Sequence, residues 1–236
     1  MNSDPDAGAH GRLLEIMVER ARGKKRLLVA IAGGPGSGKS TLLSRLEERA
    51  RRSFPPYLFA FLPFDGFHFP NAYLDAHEHE GAPLRSIKGS PPTFDTAKAV
   101  SKLKELKSGG ADVLFPAYSR EIHDPVADAL LVPAATRIVV VEGNYLLYDG
   151  PGYGEMPGLF DLKIYLHTDR ETARRGVIAR HVRGGRTPED AERYFRAVDS
   201  GNFDLVEGTR SRADVIVIRT PGNRLHVAEH APAASK

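Results

Sequence analysis

Cysteine and tryptophan are absent from the 236 residues, and methionine occurs only three times. Without cysteine there is no disulfide framework, no thiolate nucleophile and no Cys-ligated zinc. Long apolar runs are missing too, and none approaches the roughly 18 residues that a membrane-crossing helix needs. Met1–His10 is polar and acidic, without the apolar core of a secretory signal. The expected location is therefore cytoplasmic, with no membrane partner. An excess of one charge is also lacking: 33 Lys and Arg face 30 Asp and Glu, a net charge of +3. The basic residues between Arg170 and Arg212 are interleaved with acids, as on solvated helix faces. No aromatic-plus-basic ribonucleoprotein motif and no zinc-finger spacing occurs, so nucleic acid is not an expected partner.

What is present suffices for one substantial core, with 41% hydrophobic residues. A single domain over 1–236 is expected, with flexible tails at about 1–10 and 231–236. Leu13, Leu14, Ile16, Met17 and Val18 predict an amphipathic first helix. Arg26–Ala32 reads as a buried strand that runs into glycines, and a helix follows over about Lys39–Arg52. Further strands are expected at Leu58–Leu62, Val113–Phe115, Arg137–Val141 and Leu162–His167, with Ala213–Ile218 as the last. Helices are expected at Thr96–Leu106 and Glu171–Val182, and another starts with Thr187 as cap and Pro188 in the first turn. Gly66–Pro92 is long for a structureless loop, which marks it as functional or partly helical. Strands alternating with helices predict an α/β fold with a doubly wound, mainly parallel sheet. Its ligands belong beyond the carboxyl ends of the strands.

The most specific signal is Gly33-Gly34-Pro35-Gly36-Ser37-Gly38-Lys39-Ser40, followed by Thr41, a match to G-x-x-x-x-G-K-[ST]. Glycines let successive backbone N–H groups turn toward a polyphosphate, and the next helix aims its positive end at the same anion. Lys39 is placed to reach the β- and γ-phosphates of ATP, and the Ser40 hydroxyl to ligate Mg²⁺. The buried strand before and amphipathic helix after distinguish this P-loop from an accidental glycine-rich turn.

Two acids stand at strand ends. Asp65, in Pro63-Phe-Asp-Gly-Phe-His68, could serve as a base toward an acceptor hydroxyl, or be a turn aspartate before glycine. Glu142 closes Val139-Val-Val-Glu, where a metal-associated Walker B acid would stand; the alternative is a solvent-facing strand end. His68, His77, His79 and His123 could form a metal cluster, but His77 and His79 are two apart and read as an exposed polar loop.

Together these residues resemble the pantothenate kinase, uridine kinase and phosphoribulokinase group of P-loop kinases, from Leu27 to Ile218. Asp65-Gly-Phe-His-Phe-Pro-Asn71 is similar to D-G-F-x-x-P-N, and Lys88-Gly89 with Pro92-Thr-Phe-Asp95 to K-G-x-P-x-x-[YF]-D. Phe115-Pro-Ala-Tyr118-Ser-Arg120-Glu-Ile-His123-Asp124 resembles P-x-Y-S-H-x-x-Y-D, with Arg120 in place of histidine and His123 in place of tyrosine. Glu142-Gly-Asn144 resembles E-G-x-N, and Thr209-Arg-Ser-Arg-Ala213 resembles T-R-x-R-A. Bacterial homologues named as fructose-transport or nucleoside kinases are similar in D-G-F-H and E-G-N-Y. The resemblance implies an ATP- and Mg²⁺-dependent small-molecule kinase with a mobile helical lid near 169–208. It makes Asp65 the base, Glu142 the metal-associated acid and Arg180 the lid arginine that bridges the transferring phosphate. His68, Tyr118, Arg120 and His123 then face a small-molecule acceptor: a sugar, polyol, nucleoside or pantothenate-like compound. A homodimer is compatible with this reading. The competing readings are a nucleotide-binding regulator without turnover, and a GTPase-type switch. For the switch, Asp149-Gly-Pro-Gly152 matches D-x-x-G but no N-K-x-D follows.

Overall fold

A computed structural model describes residues 6–220, 222 and 224–229. In chain order its strands are β1 (Leu27–Ala32), β2 (Phe59–Pro63), β3 (Glu78–His79), β4 (Ala82–Pro83), β5 (Val113–Ser119), β6 (Asp124–Val132), β7 (Ile138–Gly143), β8 (Leu162–Thr168), β9 (Val215–Arg219) and β10 (Leu225–Glu229). The helices are α1 (Ala7–Arg20), α2 (Lys39–Ser53), α3 (Asn71–Ala76), α4 (Thr96–Ser108), α5 (Met156–Leu159), α6 (Arg170–Arg183), α7 (Pro188–Tyr194) and α8 (Ser200–Glu207).

The central sheet has the order β10-β9-β8-β1-β7-β2. Its first five strands in sequence, β1, β2, β7, β8 and β9, run parallel, and β10 is an antiparallel edge. Every residue of β1 and of β7 is buried, which explains the unbroken apolar runs Leu27–Ala32 and Ile138–Val141: a strand covered on both faces cannot alternate with polar residues. Leu27, Val29 and Ile31 pack with Leu13, Met17, Leu42 and Leu46 from α1 and α2. Leu28 and Ala30 face the opposite layer, with Leu103 and Leu106 of α4, Phe64, Phe67, Phe115 and Val206. From β1 the chain passes to β2 at one edge and returns to β7 beside β1, and it then crosses to β8 on the other side of β1. The end of β1 is thus the switch point where such sheets hold ligands. Among the described residues, no helix is long and apolar enough to cross a membrane.

Three expectations need correction. Ala7–His10, expected in the N-terminal tail, form the first turn of α1, with His10 buried. Residues 1–5 and 231–236 lie outside the described part. The strand expected at Val113–Phe115 is one arm of a β5–β6 hairpin, paired from Val113↔Val132 to Ser119↔Asp124. Pro116, at a shift of register between Phe115 and Ala117, and Pro125 hide its pattern, since proline is confined to edges and bulges. Ala213–Ile218 is not the last strand, because β10 adds to the edge beyond it.

Candidate active site

The phosphate cradle is local in sequence but clamped from behind. Gly36 and Gly38 have φ of +77° and +98°, which glycine adopts without strain. A Cβ at Gly36 would lie 2.2 Å from the Ala173 carbonyl of α6, and one at Gly33 2.6 Å from the Leu166 carbonyl of β8. These glycines therefore admit neighbouring backbone as well as exposing their own N–H groups. Thr168 Oγ1 and Arg219 Nη1 each donate to the Ser37 carbonyl at 3.1 Å. Ser37 Oγ is buried without a hydrogen-bond partner, an orphan that a polyphosphate oxygen would satisfy. Pro35 is buried beside it, while Ser40 and Thr41 open α2 on the exposed side.

Lys39 is buried, and its Nζ donates to the Gly34 carbonyl at 3.0 Å. Burial pushes its pKa down to about 8; Glu142 and Asp65 oppose the shift and Arg180 adds to it. Glu142, at the end of β7, is 6% exposed and accepts from Ser40 Oγ at 3.0 Å. Burial raises its pKa, and Lys39 opposes this most strongly. The buried acid is thus the metal-side candidate rather than a solvent-facing strand end, and an alcohol oxygen stands beside it.

Asp65 sits on a 3₁₀ turn, Phe64–Phe67, directly after β2. Phe64 and Phe67 are buried and anchor the turn, while Asp65 is exposed. Glycine is required at 66 because a Cβ there would lie 2.5 Å from the Pro116 carbonyl. The Asp65 charge is felt at Lys39 and Glu142 on the cradle side. On the other side it is felt at His68, Lys88, Tyr118 and Tyr145.

Those groups form a second, side-chain-built region. The His68 ring stacks on Phe94 with centroids 3.8 Å apart and meets Tyr118 edge-on. Its Nδ1 lies 3.3 Å from the Thr93 carbonyl, which assigns the proton to Nδ1. Burial lowers the His68 pKa, so the neutral ring leaves Nε2 as an acceptor. Lys88 Nζ donates to Asn71 Oδ1 at 2.6 Å and to the His123 carbonyl at 3.0 Å, and lies over the Tyr118 ring. The same carbonyl accepts from Tyr118 Oη at 2.8 Å and Asn71 Nδ2 at 2.9 Å. His123 itself has φ +53° and an exposed side chain, so its backbone rather than its imidazole organises this knot. Arg120 is exposed in the turn of the hairpin, with its charge felt at both Tyr118 and Glu142.

From above, Tyr194 Oη donates to the Lys88 carbonyl at 2.8 Å, and Asn202 Nδ2 to Ser90 Oγ at 3.1 Å. Tyr145 Oη donates to the Gly89 carbonyl at 2.7 Å from the core side. Arg180 projects from α6 with a side chain 49% exposed. The structure thus brings Lys39, Glu142, Asp65 and Arg180 into one electrostatic neighbourhood. His77 and His79 lie apart from it: His77 stacks on Tyr73, and no group of three His, Asp or Glu suited to a metal ion occurs among the described residues. Asp149 of the D-x-x-G match pairs with Arg212 at 2.7 Å. Sequence reasoning gave no role to Lys88, Asn71, Tyr145, Tyr194 or Asn202. Lys88 and Asn71 stood inside the quoted motifs, whereas Tyr194 and Asn202 carried no signal.

This cradle, with an acid at the end of the neighbouring strand and a helical segment above, defines a small-molecule P-loop kinase. The model of the phosphoribulokinase / uridine kinase family matches residues 28–226, and the chain belongs to that family. The uncharacterized protein YggC of Escherichia coli is 36% identical, over 92% of this chain and 89% of that protein. A protein of Schizosaccharomyces pombe named "putative uridine kinase" is 32% identical, over 90% and 92%. The crystal structure of a "putative fructose transport system kinase" from Silicibacter sp. TM1040 superposes with a TM-score of 0.76 at 31% identity. It covers 88% of this chain and 98% of its own. The chain is an ATP-binding transferase of this family that acts on a small metabolite.

Proposed function

We propose that the chain moves the γ-phosphoryl group of ATP to a hydroxyl of a small polar metabolite: a sugar, polyol, nucleoside or pantothenate-like compound. The position of Asp65 carries this reading. A single exposed carboxylate is felt both by the cradle, at Lys39 and Glu142, and by the aromatic and cationic region around His68, Lys88 and Tyr118.

The backbone of Gly33, Gly34, Pro35, Gly36, Ser37, Gly38 and Lys39, with Ser40 and Thr41, holds the polyphosphate, and the orphan Ser37 hydroxyl fits an oxygen of it. Asp65 accepts the hydroxyl proton as the new O–Pγ bond forms and the bond to the ADP oxygen breaks. Lys39 and Arg180 balance the charge on the transferring oxygens. His68 Nε2 and Tyr118 orient the acceptor, Arg120 donates to its polar end, and the His123 carbonyl keeps Tyr118 and Lys88 in place. Ser40 and Glu142 are an oxygen pair suited to Mg²⁺, which would neutralise phosphate charge there. We read residues 169–208 as the lid whose closure excludes water, and the cytoplasm, where ATP is held, as the compartment.

The test is ADP release with Mg·ATP over a panel headed by uridine, fructose and pantothenate, the compounds in the names of relatives, then other sugars and polyols. One class should stimulate release well above the acceptor-free rate. Tight ATP binding with no stimulation by any acceptor would overturn phosphoryl transfer and favour a regulator.

A further inference from the structure

Between α7 and α8 the chain widens into a π turn, Phe195–Asp199, and continues without a break. Such turns are rare and recur at functional sites. Asp199, the last residue of this turn, is only 6% exposed. A buried carboxylate is costly unless it is paired, and its partners come from two consecutive residues of α6. His181 Nε2 lies 2.9 Å from Oδ2, and Arg180 Nη2 lies 3.9 Å from Oδ1.

The two distances differ in what they allow. At 2.9 Å the imidazole fixes the carboxylate. At 3.9 Å the guanidinium is tethered electrostatically while its N–H fork stays free for another anion. Arg180 is also close enough to Lys39 for its charge to be felt there. The Asp199 field reaches Tyr145 and Tyr194 as well, the two phenols that grip the Gly89 and Lys88 carbonyls.

We infer that Asp199 is a positioning residue, which with His181 aims the Arg180 guanidinium at the transferring phosphoryl group. The inference rests on the role of Arg180 proposed above. An aimed guanidinium matters in the transition state, so its loss should lower kcat while the KM for ATP and for the acceptor change little.

The experiment is a double-mutant cycle on the full chain, with Arg180→Ala, Asp199→Asn and their combination, followed by kcat, both KM values and Tm. Asp199→Asn should lower kcat by about tenfold in the wild-type background and leave it unchanged in the Arg180→Ala background, the non-additivity of residues acting as one unit. Equal losses in both backgrounds, or a fall in Tm without a kcat effect, would overturn the inference and make Asp199 structural. Wild-type kcat in Arg180→Ala would instead remove the underlying role of Arg180. Should the asparagine variant fail to fold, Asp199→Glu completes the cycle. It keeps the charge but displaces it, and its smaller kcat loss should also vanish beside Arg180→Ala.

Discussion

The two halves of the site are built on opposite principles. The phosphate cradle is nine consecutive residues, Gly33–Thr41, whose function resides in backbone N–H groups and whose shape requires glycine where other backbone closes in. The proposed acceptor side is assembled from side chains on α3, β5, α7 and α8 and the loops between them, and it is knotted around one carbonyl, that of His123. A backbone cradle can serve any nucleoside triphosphate, because every polyphosphate presents the same oxygens. A side-chain pocket can be re-specified by exchanging residues without disturbing the cradle. Asp65 belongs to both halves, so substitutions there and on either side should separate them.

The largest effect is expected at the shared residue. Asp65→Asn keeps the volume and the turn, so ATP binding should survive while transfer falls by roughly 10²–10⁴-fold, the usual share of a positioned base. Nucleotide titration paired with turnover decides it, and unchanged turnover would remove Asp65 from the chemistry.

On the cradle side, Lys39→Ala should lower turnover by about 10²–10³-fold, as for other lost donors to developing charge. The same residue predicts a pH signature in the nucleotide-free protein. Lys39 has a folded pKa of about 8, below its ordinary 10.5. Between those values the unfolded chain still holds the proton that the folded chain has released. This group therefore makes stability rise with pH across that window. Thermal unfolding followed from pH 8 to 10 should show the increment in wild type, and Lys39→Ala should lack it.

The smallest effect belongs to the acceptor side. Arg120→Ala should raise the acceptor KM by about tenfold, the weight of a charge-assisted hydrogen bond, and leave the ATP KM nearly unchanged. Equal shifts in both constants would place Arg120 outside the acceptor pocket and blur the boundary between the halves.

The legibility of the fold follows the same division. Strands buried on both faces, β1 and β7, announce themselves as apolar runs, and the P-loop as a string of glycines at fixed spacing. Of the hairpin β5–β6, only the first three residues carry a legible strand pattern. Leu114 and Leu131 are exposed, Val113 and Val132 buried, and the prolines interrupt the alternation. The strand β10 is a short edge whose pairing with β9 is visible only in the sheet. Asp65 and Glu142 stood out as acids at strand ends, but neither residue's neighbours in space could be read from its neighbours in sequence.

By itself the sequence determined the α/β class, the cradle and the identity of the acids at the strand ends, because each depends on local periodicity or on contiguous backbone geometry. Only the tertiary structure decided that Lys39 is buried against the Gly34 carbonyl, and that Ser40 meets Glu142 across 102 positions of chain. It also decided that a single carbonyl at 123 gathers Lys88, Asn71 and Tyr118, and that Asp199, the last residue of a π turn, is buried against α6. The physical reason is that burial, shifted ionisation and side-chain hydrogen bonding are properties of surroundings. Residues distant in the chain supply those surroundings, and composition and spacing do not encode their proximity.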